Sequence, residues 1–295
     1  MKKLFINQHE KIRNGWWIAL FIGLIVATQP LYRWITTNLR ALHTPELMVD
    51  IVSPLLLLLV TFTCVRLYKQ NLSDAGLSGT GRWWLQLGAG TAIGGLWLLA
   101  VALPLWLIGG VSFSINDQAS ASILFVGLYS FLLGALLEEL LHRGFIFQRL
   151  IDGLGFTLAQ VLMALVFAFG HLDNPEMDGL TMVIASLDLA LASLILGFAY
   201  YRTKSLALPL GLHLGWNWVQ GTVMGFNVSG HDQPSLLQAH LGDLPTWISG
   251  GAFGLEGGIL SLTSSVIVLA LLWRWQGTSQ QQKISDHSDN LLQSA

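Results

Sequence analysis

The sequence predicts an all-α polytopic membrane protein, with about eight transmembrane helices enclosing a mid-membrane cavity. Three observations lead there. Hydrophobic residues make up 53% of the 295, charged residues only 11%, and the mean hydropathy is +0.58, whereas soluble domains carry about 25% charged residues. Apolar runs of spanning length recur along the chain, a spanning helix needing ~20 mainly apolar residues. Lys and Arg gather at alternate ends of those runs, the asymmetry that sets orientation in a bilayer.

In order, the runs lie at about 15–32, 47–67, 83–108, 121–148, 155–172, 178–200, 206–226 and 250–273. The polar spacer from Asn7 to Asn14 and the lack of a small-x-small site favour an uncleaved first span over a signal peptide. The third run carries Gly88, Gly90, Gly94 and Gly95, a small-residue stripe suited to close helix packing. Pro54, Pro104 and Pro209 fall inside spans, where neighbours can satisfy the freed carbonyls. Residues 1–276 read as a single membrane domain with a motif-bearing core at about 120–225, and 277–295 read as a polar, disordered tail.

With eight spans, Lys2, Lys3, Lys11, Arg13, Arg66, Lys69, Arg82, Arg149, Arg202, Lys204, Arg274 and Lys283 share one side. Only Arg33 and Arg40 lie on the other, so both termini are expected in the cytoplasm, with a bacterial inner membrane as the host bilayer. Net charge −2 says nothing about nucleic acid, and no basic cluster is dense enough to suggest such a partner, so none is expected. The one cysteine, Cys64, excludes a disulfide framework and a thiolate metal cage.

Against this background one stretch is out of place: Glu138-Glu139-Leu140-Leu141-His142-Arg143-Gly144, inside the fourth run. On insertion scales a charged group at a bilayer centre costs about 2.5–3.5 kcal/mol. Helical spacing pairs Glu139 with Arg143, leaving Glu138 as the carboxylate free to work, and it sets His142 one turn from Glu138. Two more pairs follow at the same spacing, Phe167/His171 and His213/Asn217. Alone, each has an ordinary explanation: a packing network, a capping histidine, interhelical glue. Together they supply what amide hydrolysis needs. A carboxylate can take a proton from water, histidines can orient that water or ligate a metal, and an amide and an imidazole can donate to an oxyanion.

Glu-Glu-x-x-x-Arg, Phe-x-x-x-His and His-x-x-x-Asn, in this order, resemble the motifs of the CAAX protease and bacteriocin-processing (CPBP) family, whose best-known branch is the Ras-converting CAAX prenyl endopeptidase. The Arg-Gly-Phe-x-Phe-Gln-x-Leu run from Arg143 and the glycine-rich 250–258 stretch resemble it too. The resemblance implies an intramembrane endopeptidase acting on a membrane-associated protein or peptide, CAAX-type and prenylated or a peptide under maturation. It implies Glu138 as base, His171 holding the same water, and His213 with Asn217 on the oxyanion side. Glu139 and Arg143 would support them, and Phe167 would pack the site. His142 departs from the family's usual aromatic or apolar residue and is expected to pair with Glu138.

A metal-free, glutamate-dependent mechanism is preferred and no cofactor is assigned. Zn²⁺ held by Glu138, His171 and His213 is the competing option, since it would occupy the obvious base. Other classes remain: a catalytically silent scaffold or immunity factor, or a proton-coupled transporter, against which the lack of inverted repeats counts. Asp188 is expected as a structural acceptor and Glu256 as an anchor of the last span; Asp173, Glu176 and Asp178 form a solvated outer loop. At 1.5 Å per residue the three motifs fall at different depths of full-length spans, so broken or staggered helices are required. The cavity is expected to open to the cytoplasm.

Overall fold

Large apolar side chains cover the outside of the molecule, and charged ones lie within it. In the computed structural model, which describes residues 5–6 and 10–275, Val26, Leu59, Leu85, Leu96, Phe125 and Leu187 are exposed while Glu139, Arg143 and Asp188 are buried. That inversion suits a bilayer, where the exterior meets hydrocarbon and every polar group needs an internal partner. The chain is an all-α polytopic membrane protein.

Helix α1 (Asn14–Ala41) lies at the periphery, with Phe21 and Thr36 its buried residues. The short α2 (Glu46–Val49) leads into α3 (Val52–Leu67), and α4 (Gly81–Leu107) follows. Helix α5 (Ala121–Arg143) breaks at Gly144 and continues as α6 (Phe145–Leu154). The break needs glycine, because a Cβ at Gly144 would strike the Leu140 carbonyl oxygen. Then come α7 (Phe156–Phe169), α8 (Gly179–Thr203) and α9 (Ala207–Trp218), which runs into a π turn at Val219–Val223.

The last expected span, 250–273, is not one helix. A short α10 (Thr246–Ser249) and two 3-10 turns (Gly251–Phe253 and Leu255–Gly257) precede α11 (Ile259–Arg274). Gly250 and Gly254 hold φ of 85° and 115°, which side chains rarely adopt, so this glycine-rich stretch turns where an apolar pattern alone would continue as helix. The sequence reading also missed two strands, β1 (Val111–Ile115) and β2 (Leu237–Leu241), which pair antiparallel with Val111 opposite Leu241 and Ile115 opposite Leu237. The expected tail, 277–295, lies outside the described residues.

Among the described residues five helical segments have the length and apolarity to cross a membrane, with α5 and α6 counted as one and α2 and α3 as one; α7 and α11 are shorter. The shortness of α7 and α9 resolves the depth problem. Fourteen residues give α7 a length of ~21 Å and twelve give α9 ~18 Å, against a hydrocarbon core of ~30 Å. Their motif residues therefore stop part-way through and meet the middle of the continuous α5–α6 segment.

Two ends of the bundle are defined by contacts. At one, the Leu206 amide donates to the Gly76 carbonyl and Arg202 donates to the Trp273 carbonyl. This basic end holds Arg66, Lys69, Arg82, Arg149, Arg202, Lys204 and Arg274. At the opposite end, β1 and β2 pair, Asn116 donates to the Ser235 carbonyl, and Asn174 donates to the Ser229 carbonyl. The glycines of α4 and α9 lock these helices together. A Cβ at Gly94 would sit 3.0 Å from the Trp216 amide nitrogen, and one at Gly215 would strike the Thr91 carbonyl oxygen. Gly88, by contrast, faces open space.

Candidate active site

The i,i+4 spacing on α5 does what the sequence predicts for Glu139 and Arg143, and then more. Arg143 Nη1 donates to Glu139 Oε1 at 3.1 Å, with both side chains essentially sealed from solvent. Nη2 donates to the Ser193 carbonyl at 3.1 Å and to Ser193 Oγ at 2.8 Å. The guanidinium also lies 5.0 Å from the Phe167 ring centroid. Arg143 thus bridges α5, α7 and α8. Ser193 was not found from the sequence, since a serine in an apolar helix carries no signal of its partner.

Glu139 is not confined to that pair. His213 Nδ1 lies 3.0 Å from Glu139 Oε1, and as the carboxylate can only accept, Nδ1 carries the proton. This fixes the ring and turns Nε2 toward Glu138, 3.9 Å from its Oε2. Glu138 is about a third exposed, yet its Oε2 is buried with no hydrogen-bond partner. It is the carboxylate left over, as the helical spacing implies.

The other two imidazoles are pinned the same way. His171 Nδ1 donates to the Phe167 carbonyl at 2.7 Å, and His142 Nδ1 donates to the Glu138 carbonyl at 2.9 Å. His142 therefore bonds the backbone of Glu138 and not its carboxylate, which corrects the expected pairing. The i,i+4 carbonyl lies within reach of the ring and needs no carboxylate rotation. All three rings surround Phe167, with centroids 5.1 Å away for His142, 4.7 Å for His171 and 6.4 Å for His213. Phe167, expected to pack the site, is in ring contact with all three imidazoles.

Glu138, His142, Phe167, His171, His213 and Asn217 line one cavity of about 610 Å³. Asp188 and Glu256 line it as well. Asp188 accepts from Ser261 and Ser265, each at 2.5 Å, as a structural acceptor would. Glu256 accepts from Gln220 Nε2 at 2.5 Å, and Gln220 also donates to the Asn227 carbonyl. Glu256 thus ties the glycine-rich stretch to the π turn. Among the described residues no group of three or more His, Cys, Asp or Glu is placed to hold a metal ion.

The cavity's non-helical lining comes from Asn174, Val228, Ser229, His231 and Gln233, in loops at the end opposite the basic residues. A mouth on the basic side was expected because water must reach Glu138.

Residues 120–219 match the family described as Type II CAAX prenyl endopeptidase Rce1-like. Over this segment, about a third of its length, the chain is similar to that family, as the three motifs imply. No curated protein and no solved structure gives a match. The matched segment runs from the start of α5 to the end of α9 and holds every residue of the three motifs. The family-like segment packs against helices on either side of it in the chain, α9 against α4 and α8 against α11. Members of that family are CAAX-type intramembrane proteases acting on membrane-associated proteins.

Proposed function

We propose that the chain is an intramembrane endopeptidase that hydrolyses a peptide bond with a water activated by Glu138. The observation that carries this reading is the placement of Glu138, its Oε2 unpaired, on the wall of a cavity shared with His171, His213 and Asn217. Water held between Glu138 and His171 gives a proton to Glu138 and attacks the scissile carbonyl carbon. The oxyanion is met by His213 Nε2–H and the Asn217 side-chain amide. The C–N bond then breaks and Glu138 passes its proton to the leaving amine.

Glu139 fits a role in this scheme as orienter of His213, through the Nδ1 hydrogen bond. With His213 as imidazolium, two carboxylates face one guanidinium and one imidazolium, and the cluster is neutral as a whole. Buried charges persist only when paired in this way. No step is routed through a metal. The Lys/Arg bias supports a cytoplasmic side for both termini.

The test is Glu138→Gln, which keeps the side-chain shape and removes the base. Membrane proteomes of cells with the parent and with Glu138→Gln are compared for a trimmed species. The expected result is its loss, with precursor accumulating and the variant still folded. An unchanged proteome across growth states would favour a silent scaffold instead.

A further inference from the structure

Helix α1 is held to the protomer by one face only. Phe21 is buried there, with Trp17, Ile18, Leu24 and Ile25 packed on the same core. On the opposite face Gly15, Ala19, Ile22, Val26, Gln29 and Arg33 are all exposed. They are spaced 4, 3, 4, 3 and 4 residues apart, the alternation that keeps one seam of a helix against a partner helix. Among the described residues, a Cβ at Gly15 would meet nothing within 4 Å. An apolar seam would suit lipid as it stands, but Gln29 does not.

Gln29 lies ~2 Å from the midpoint of the 28-residue α1, counting 1.5 Å per residue, so its amide faces hydrocarbon. Among the described residues its one hydrogen bond is long, Nε2 to the Ile25 carbonyl at 3.4 Å. That carbonyl already accepts from Thr28 Oγ1 at 2.8 Å. A second polar group lies within a turn of it. Pro30 sits inside the helix and has no N–H, so the Val26 carbonyl lacks its helical donor. Val26 is 64% exposed. The seam thus carries a side-chain amide and a freed backbone acceptor in a solvent that can bond neither.

We infer that α1 is the interface of a parallel homodimer, in which Gln29 of each copy bonds to the Gln29 amide or the Val26 carbonyl of the other. Two copies of one chain insert in the same orientation, so their α1 helices pair in parallel and Gln29 meets its counterpart at equal depth. An amide carries both donor and acceptor and so complements itself, as a twofold contact requires. One polar residue in an otherwise apolar seam also fixes the register of the pair. Gly15 and Ala19 let the two backbones approach closely at one end. Arg33 lies ~6 Å beyond Gln29 toward the helix end. From there its long stem carries the charge to water, where repulsion between the copies is screened. The inference does not depend on the endopeptidase reading, since α1 supplies no residue to the cavity.

Single cysteines are placed in a Cys64→Ala parent at Ile22, in the seam, and at Leu20, exposed on α1 but away from the seam. Full-length copies bearing two different tags are co-expressed, and their membranes are oxidised with copper phenanthroline. The expected result is a crosslinked species carrying both tags for Ile22→Cys and little or none for Leu20→Cys. In liposomes, energy transfer between full-length donor- and acceptor-labelled copies is followed as lipid is added. One interhelical hydrogen bond in a bilayer is worth roughly 3- to 20-fold in affinity, so Gln29→Leu should weaken association by that factor. Gln29 is exposed, so leucine there leaves the packing of the protomer intact. Absence of the two-tag species, equal crosslinking at Leu20→Cys, or an unshifted dilution curve for Gln29→Leu would overturn the proposal. A seam-specific adduct joining one tagged copy to a different protein would overturn it too.

Discussion

Arg143→Met tests whether the buried cluster is held by charge balance. In the parent, Arg143 satisfies Glu139, both the carbonyl and hydroxyl of Ser193, and the face of Phe167, at 1% side-chain exposure. Methionine keeps much of the volume and removes the charge. Glu139 is then left with His213 as its single cationic neighbour, and its Oε2 already lacks a hydrogen bond. Removing one partner of a buried pair costs about 3–5 kcal/mol. At about 2–4 °C per kcal/mol for large domains, the midpoint should fall by roughly 6–20 °C. Cys64 supplies the assay. It is the chain's one thiol and is fully buried, so a fluorogenic maleimide reports unfolding in detergent without any added label. Pairing the change with Glu139→Gln removes the stranded charge along with its partner. The double variant should therefore recover about 0.5–3 kcal/mol relative to the sum of the single changes. A midpoint for Arg143→Met within about 2 °C of the parent, or strictly additive losses, would refute the charge-balance argument.

Gly94→Ala should destabilise by about 1–3 kcal/mol, because its Cβ meets the backbone of α9, whereas Gly88→Ala should be neutral or stabilising by up to about 1 kcal/mol since its Cβ meets nothing. The same thiol assay reads both, and equal effects would contradict the close packing of α4 on α9. Asn217→Ala should lower turnover of the species lost in Glu138→Gln by about 10²–10³-fold while melting near the parent. Turnover of that species should survive a zinc chelator if Glu138 activates the water as base; loss restored by added Zn²⁺ would reverse this reading.

The membrane class and the motifs were legible because both are local properties of the chain. Apolar runs report the solvent around a helix, and i,i+4 spacing places Glu139 beside Arg143 wherever the helix sits. The break at Gly144 was not legible, since it depends on how close the Leu140 carbonyl lies to the next turn. The strands were missed for a similar reason. Ser-Phe-Ser and Gln-Ala-His alternate too briefly to signal pairing, and β1 and β2 are far apart in the chain. His142 was misassigned because spacing names a neighbour and not which of its oxygens is nearer.

By itself the sequence determined that two carboxylates, an arginine and three histidines would lie within a bilayer protein, and that Glu139 would neutralise Arg143. Only the tertiary structure decided that Glu139 also holds His213, that Ser193 completes the arginine's shell, and that Phe167 stands among three imidazoles. It also decided the depth at which the motifs meet. The physical reason is that α7 and α9 are too short to span the hydrocarbon core. Where they stop fixes the depth of the site, and helix length in the folded bundle is set by packing and by turns that apolar periodicity does not encode.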